Sequence, residues 1–152
     1  MRTTLTISGQ SFESLATPEE ATRWAVLDRA FPQSADAVVV ATSLAKASYW
    51  LEDVAPIPSG EPSDNVVRCV VRLATYYAVG ELVPVGPSPA SVSNGGVTVD
   101  MRYAGSQDRD EANRLGFPDV ESYRLVKPLL QQGGGWAGLT RPSVFNPDDV
   151  II

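Results

Sequence analysis

The sequence predicts a mainly α fold: a four-helix, bundle-like domain with an inserted β-hairpin and an extended C-terminal arm. Three observations predict it. Residues 62–83 carry one long helical period, 91–103 carry a strand–turn–strand pattern, and 133–152 carry neither. The helical domain is expected over 1–132, with its hairpin at about 90–104, and a glycine-linked arm over 133–152.

In the central stretch Val66, Val70, Leu73 and Tyr77 share one helical stripe, and Val67, Val71, Ala74 and Ala78 the next. Together they form an apolar face too wide for a surface helix, so the core is expected around it. Ser63 or Asp64 can cap its free N–H groups, and Gly80 followed by Pro84 can stop it. Cys69 lies within the pattern and reads as a buried small hydrophobe.

The chain before this helix divides into three parts. Residues 1–15 alternate, with Leu5 and Ile7 on one side and Thr4 and Thr6 on the other, as an edge strand or a draped arm would. Thr17-Pro18-Glu19-Glu20 then opens a helix. Threonine caps it, proline takes its first position and Glu20 completes a capping box. That helix runs through Ala21, Trp24, Ala25 and Leu27 and stops before Pro32, with Trp24 as a packing anchor. A second helix is expected over 34–54, where Ala37, Val40, Ala41, Leu44, Ala47, Ser48 and Leu51 keep the period. Its small residues favour close approach of the central helix. Tyr49-Trp50 reads first as a lid over the core and second as an interface pair. A proline-rich connector fills 54–61.

After the central helix, Asn94-Gly95 is the sharpest turn signal in the chain. Val97, Val99, Met101 and Tyr103 then alternate with Thr98, Asp100 and Arg102. A lone two-stranded hairpin is marginal in water, so this one is expected to pack on its own helices or on a neighbouring subunit. Residues 107–114 are polar and charged, as in a solvated face or mobile loop. Val120, Tyr123, Val126, Leu129 and Leu130 mark the last helix, capped by Asp119 or a neighbour and kinked at Lys127-Pro128. The arm follows a triple glycine. It bears Trp136, Leu139, Val144, Phe145, Val150, Ile151 and Ile152, with Arg141 as a possible carboxylate fork, and a tail this apolar is expected to dock on something.

Composition narrows the chemistry. The formal net charge is −6 and the 152 residues include no histidine. The acidic balance argues against sequence-nonspecific nucleic-acid binding, which needs clustered basic residues, and basic residues interleaved with aromatics are absent from the linear sequence. Without histidine no Ser-His or Cys-His pair can form, and the common imidazole metal ligand is missing. Glu19-Glu20, Glu52-Asp53, Asp108/Asp110/Glu111 and Asp148-Asp149 sit at helix ends or in polar runs, where capping and solvation account for them. Gly133-Gly134-Gly135 lacks the Lys-Ser/Thr ending of a phosphate loop. Catalysis, a metal and a cofactor are therefore not expected. A single cysteine allows no intrachain disulfide and suits a reducing compartment. No secretory signal and no apolar run of spanning length is read, so the expectation is a soluble protein away from membranes.

The order of elements also resembles a known family. A Thr-Pro-Glu-Glu cap, a helix ending Ala-Ser-Tyr-Trp-Leu, a proline-rich link and a helix ending Leu-Ala-Thr-Tyr-Tyr-Ala come first. Ser-Val-Ser-Asn-Gly-Gly-Val-Thr-Val-Asp-Met-Arg-Tyr and Tyr-Arg-Leu-Val-Lys-Pro-Leu-Leu follow. Over roughly 17–132 this resembles the head-tail connector (adaptor, or head-completion) proteins of tailed bacteriophages, and the related DnaT-like phage proteins.

The resemblance implies a non-catalytic virion protein at the head-tail interface, assembled in the host cytoplasm. Identical subunits would form a ring beneath the portal protein, extend the channel for packaged DNA without reading its sequence, and receive a tail or stopper neck protein. Asn94, Gly95, Gly96, Val97, Val99, Met101, Arg102 and Tyr103 match the family's hairpin, which would touch a neighbouring subunit or the channel. Trp136, Leu139, Arg141, Val144, Phe145, Val150, Ile151 and Ile152 match its portal-gripping arm, although here the arm reads as extended rather than helical. The rival readings are a single-stranded-DNA-binding or primosome-type accessory protein, another phage neck component, and a small enzyme.

Overall fold

The computed structural model describes residues 3–86, 91–94, 97–100 and 106–132. Within them the fold is mainly helical, with two small antiparallel hairpins: β1 Thr3–Ile7, β2 Gln10–Ser14, α1 Pro18–Leu27, α2 Ala37–Val54, α3 Asp64–Tyr77, β3 Ser91–Asn94, β4 Val97–Asp100, α4 Ser106–Leu115 and α5 Val120–Gln132. The expected arm, 133–152, lies outside the described residues.

Helix α3 is the centre of the core. Ser63 caps it by accepting from the Val66 N–H at 3.4 Å, and Val66, Val67, Cys69, Val70, Val71, Leu73 and Ala74 are buried on it. α2 and α5 pack against it, and α1 lies on a third side. The helix closes at Tyr77, just before the expected Gly80 stop, and Val79 and Gly80 donate in tight turns to Tyr76 O and Tyr77 O. The reciprocal box at α1 is complete, with Glu20 N–H to Thr17 Oγ1 at 3.0 Å and Thr17 N–H to Glu20 Oε1 at 2.9 Å. α2 begins three residues later than the period suggests, capped by Asp36 through the Val39 N–H at 2.9 Å.

Two elements differ from the sequence expectation. Residues 3–14 form a hairpin rather than a single strand or arm, with Ile7 opposite Gln10 and Ser8-Gly9 between them. Both turn residues have positive φ, 53° and 81°, the backbone a two-residue turn of the mirror-image type requires. The polar run 107–114 belongs to a fifth helix, α4, instead of a loop. Ala112, fully buried, and the partly buried Leu115 seat it on the core.

The α4–α5 link supplies a core residue. Gly116, at φ +97°, follows α4 where an added Cβ would stand 3.4 Å from the Trp50 ring, and Phe117 then turns inward and is fully buried. Its ring meets Trp50 edge-on at 5.0 Å and Tyr123 at 5.7 Å. Trp50 is thus part of the core lid, while its neighbour Tyr49 is 47% exposed. Asp119 caps α5 through the Ser122 N–H at 2.8 Å, and one helix carries Pro128 inside it through to Gln132.

Candidate interaction surfaces

The first hairpin is joined to the core through Ser48 of α2. The Leu15 N–H donates to Ser48 Oγ at 2.9 Å, and Ser48 Oγ donates to Leu44 O at 2.8 Å. Ser14 Oγ stands 3.3 Å from the same hydroxyl and donates to Ala16 O at 2.7 Å. At the rim the Glu13 N–H donates to the Tyr49 hydroxyl at 3.3 Å. Beside this seam Ile7, Phe12, Thr42, Ala45, Lys46 and Tyr49 line an open groove of about 220 Å³.

The second hairpin holds part of the site expected from the sequence. Asn94 faces Val97, and Val92 faces Val99. The register ends β3 at Asn94 and leaves Gly95-Gly96 between the strands, so Asn94 belongs to a strand and not to the connection. Gly95, Gly96, Met101, Arg102 and Tyr103 lie outside the described residues, as do the arm residues Trp136, Leu139, Arg141, Val144, Phe145, Val150, Ile151 and Ile152. Helix α2 packs on β1 and β2; no helix packs to a similar extent on β3 or β4 among the described residues. Several large apolar side chains near the helix ends are also left in solvent. Val26 and Leu27 close α1, Val38 opens α2, and Val79 and Val83 follow α3.

A third surface, not foreseen from the sequence, runs across α1, α3 and α5 and is densely charged. Arg68 donates to Asp28 through Nε and Nη2 at 3.2 and 3.0 Å. Arg72 Nη2 and the Tyr76 hydroxyl both donate to Asp119 Oδ2, at 2.6 and 2.8 Å. Burial pushes the Asp119 carboxyl up, but hydrogen bonds from Ser122, Tyr76 and Arg72 outweigh it and hold the group below the usual carboxylate range. Lys127 and Arg124 donate to Asp108 at 2.7 and 2.9 Å and lower its pKa, which ties α5 to α4. Burial raises the Cys69 thiol, whose Sγ donates to Ser122 O at 3.3 Å.

Aromatic rings are interleaved with these cations in space though not along the chain. The Arg23 and Arg68 guanidinium groups lie 5.0 and 5.1 Å from the Trp24 ring centre, and Arg29 lies 4.0 Å from that of Tyr76. Trp24 is the half-buried anchor expected of it. Arg23 and Trp24 are neighbours in the chain, but the Arg68–Trp24 and Arg29–Tyr76 stacks join residues distant in sequence, and only the folded arrangement reveals them.

Among the described residues no cluster of three or more histidine, cysteine, aspartate or glutamate side chains could hold a metal ion. Among them, too, no helix is long and apolar enough to cross a membrane. Comparison with protein-family models, curated proteins and solved structures returned no match.

Proposed function

We propose that the chain is a structural, non-catalytic subunit of a ring that joins the portal of a tailed-phage capsid to its tail. The observation that carries this reading is the β3–β4 hairpin, inserted between the central helix and the last two helices and paired with itself. A two-stranded ribbon of four-residue strands is marginally stable alone. A neighbouring subunit or a channel wall would supply the surface it needs. Exposed Val26, Leu27, Val38, Val79 and Val83 are further support, because apolar side chains left in water at helix ends suit contact between subunits. The portal protein, a tail or stopper protein and DNA passing through the channel are the partners of this reading.

The test is imaging. Negatively stained purified protein, and the neck of a tailed particle that contains the chain, are expected to show a ring with an open centre at the head-tail junction. Absence of the chain from that junction overturns the proposal. A titration with labelled single-stranded DNA at low salt separates the accessory-protein reading, which demands tight binding that falls steeply with salt.

A further inference from the structure

Three arginines from two helices line one cleft. Arg68 and Arg72 stand one turn apart on α3, and Arg124 comes from α5. Asn65 joins them around a cavity of about 130 Å³ that Asp28 and Glu121 also line. Each guanidinium is gripped by carboxylates that occupy only part of it. Asp28 takes Nε and Nη2 of Arg68, Asp119 takes Nη2 of Arg72, and Asp108 and Glu121 take Nε and Nη1 of Arg124. A guanidinium offers five N–H donors in a rigid planar fork. Bonding one edge therefore sets the plane and leaves other donors available.

Arg72 shows that demand most clearly. Its side chain is 15% exposed, and its Nε is buried with no acceptor among the described residues. Arg29 Nε and Trp24 Nε1, in the adjoining cation–ring stacks, are buried without an acceptor as well. Unpaired buried donors are rare, and of these three residues Arg72 is the one that lines the cleft, so its missing acceptor is the one that bears on it. The carboxylate easiest to displace is Glu121. Its side chain is 66% exposed, and its 3.3 Å bond to Arg124 is the longest of the cleft's ion pairs.

We infer that this cleft binds a phosphate-sized oxyanion, held by Arg68, Arg72 and Arg124 with Asn65 at its rim and with Glu121 swung aside. The cavity suits one tetrahedral anion and is well below the roughly 300 Å³ at which pockets begin to take larger ligands. Free inorganic phosphate and a nucleic-acid backbone phosphate offer the same chemistry. The inference does not depend on the ring, and imaging of a particle neck tests that separately.

The experiment titrates the full chain with inorganic phosphate against sodium chloride at matched ionic strength, following the arginine Nε–H resonances. Saturable shifts specific to phosphate are expected at Arg68 and Arg72. Arg124→Gln should weaken binding about tenfold through loss of a charge-assisted contact. Glu121→Gln should tighten it by removing a competing negative charge, a gain that a merely structural residue would not produce. Both variants alter exposed side chains, and their melting temperatures are checked in parallel. A short oligothymidine forms a second arm: competition with phosphate assigns the anion to a nucleic-acid backbone, and phosphate binding without competition assigns it to the free ion. Either result upholds the site. Shifts that follow ionic strength alone, or variants that titrate like the unaltered chain, overturn it.

Discussion

The two hairpins are built alike and supported differently. Each has two short antiparallel strands, and each register leaves two residues between them, Ser8-Gly9 in one and Gly95-Gly96 in the other. β1–β2 rests on α2, with Leu5 in the core and Ser48 bonded to the chain that leaves the hairpin. β3–β4 has no comparable helix beneath it among the described residues. Local pairing can therefore define a ribbon without making it stable. Stability comes from the surface that covers one face, and the first hairpin finds that surface within its own subunit. For the second, the proposed ring contact would supply it.

The largest expected effect is at the covered hairpin. Leu5 is 7% exposed, and Leu5→Ala should cost about 2–5 kcal/mol of unfolding free energy in a urea titration. A loss under about 0.5 kcal/mol would mean that β1–β2 is an ornament on the helices and would collapse the contrast. Ser48→Ala comes next. It leaves the buried Leu15 N–H without its acceptor, a penalty of about 1–3 kcal/mol visible in the same titration. Unchanged stability there would show that hydroxyl bonding does not secure the seam.

Acid sharpens the comparison from another side. Burial raises the Asp119 pKa, but Ser122, Tyr76 and Arg72 outweigh it and leave the folded value depressed. Its stabilisation is therefore complete above the unfolded aspartate value of about 3.9 and is lost as pH falls through the lower folded one. Ser14, Leu15 and Ser48 at the first-hairpin seam contain no group that titrates there. Amide exchange during acid titration should thus open the α3–α5 contact before β1–β2, and Asp119→Asn should flatten the acid limb. Simultaneous opening would sink the distinction.

Smaller effects on the isolated domain are expected from the second hairpin and the tail. Gly95→Val, in the connection between β3 and β4, should cost on the order of 1 kcal/mol or more where positive φ is required. The loss is predicted in ring assembly, measured by light scattering, rather than in monomer melting. Normal assembly of this variant would remove the hairpin from the contact. Deleting residues 141–152 should barely move the melting temperature while particles fail to retain the ring. A fall of several degrees would place the tail on its own domain instead.

Some of this architecture was legible because its causes are local. Thr17 and Glu20 satisfy each other within one turn, so the start of α1 could be read directly. The apolar stripes of α3 repeat at the helical period, which identified Val66, Val70 and Leu73 as core residues and Cys69 as buried. Asp119 could likewise be read as a cap for α5. The stretch Ser106–Leu115 offered no such stripe, because the fully buried side chain among its described residues is an alanine and its ties to α5 run through Asp108 to Arg124 and Lys127. Ser8-Gly9 was a weak turn signal, followed by a strand whose polar residues hide Phe12.

By itself, then, the sequence determined the caps of α1, α3 and α5, the central helix, the last helix and the presence of a hairpin after residue 90, since each follows from hydrogen bonds or periodicity within a few residues. Tertiary structure alone decided that Phe117 enters the core between Trp50 and Tyr123. It alone decided that Ser48 anchors the first hairpin and that arginines from α3 and α5 meet in one cleft. Those arrangements depend on groups distant in the chain being desolvated together, and a linear pattern carries no record of which distant partner will satisfy a buried donor or fill a buried volume.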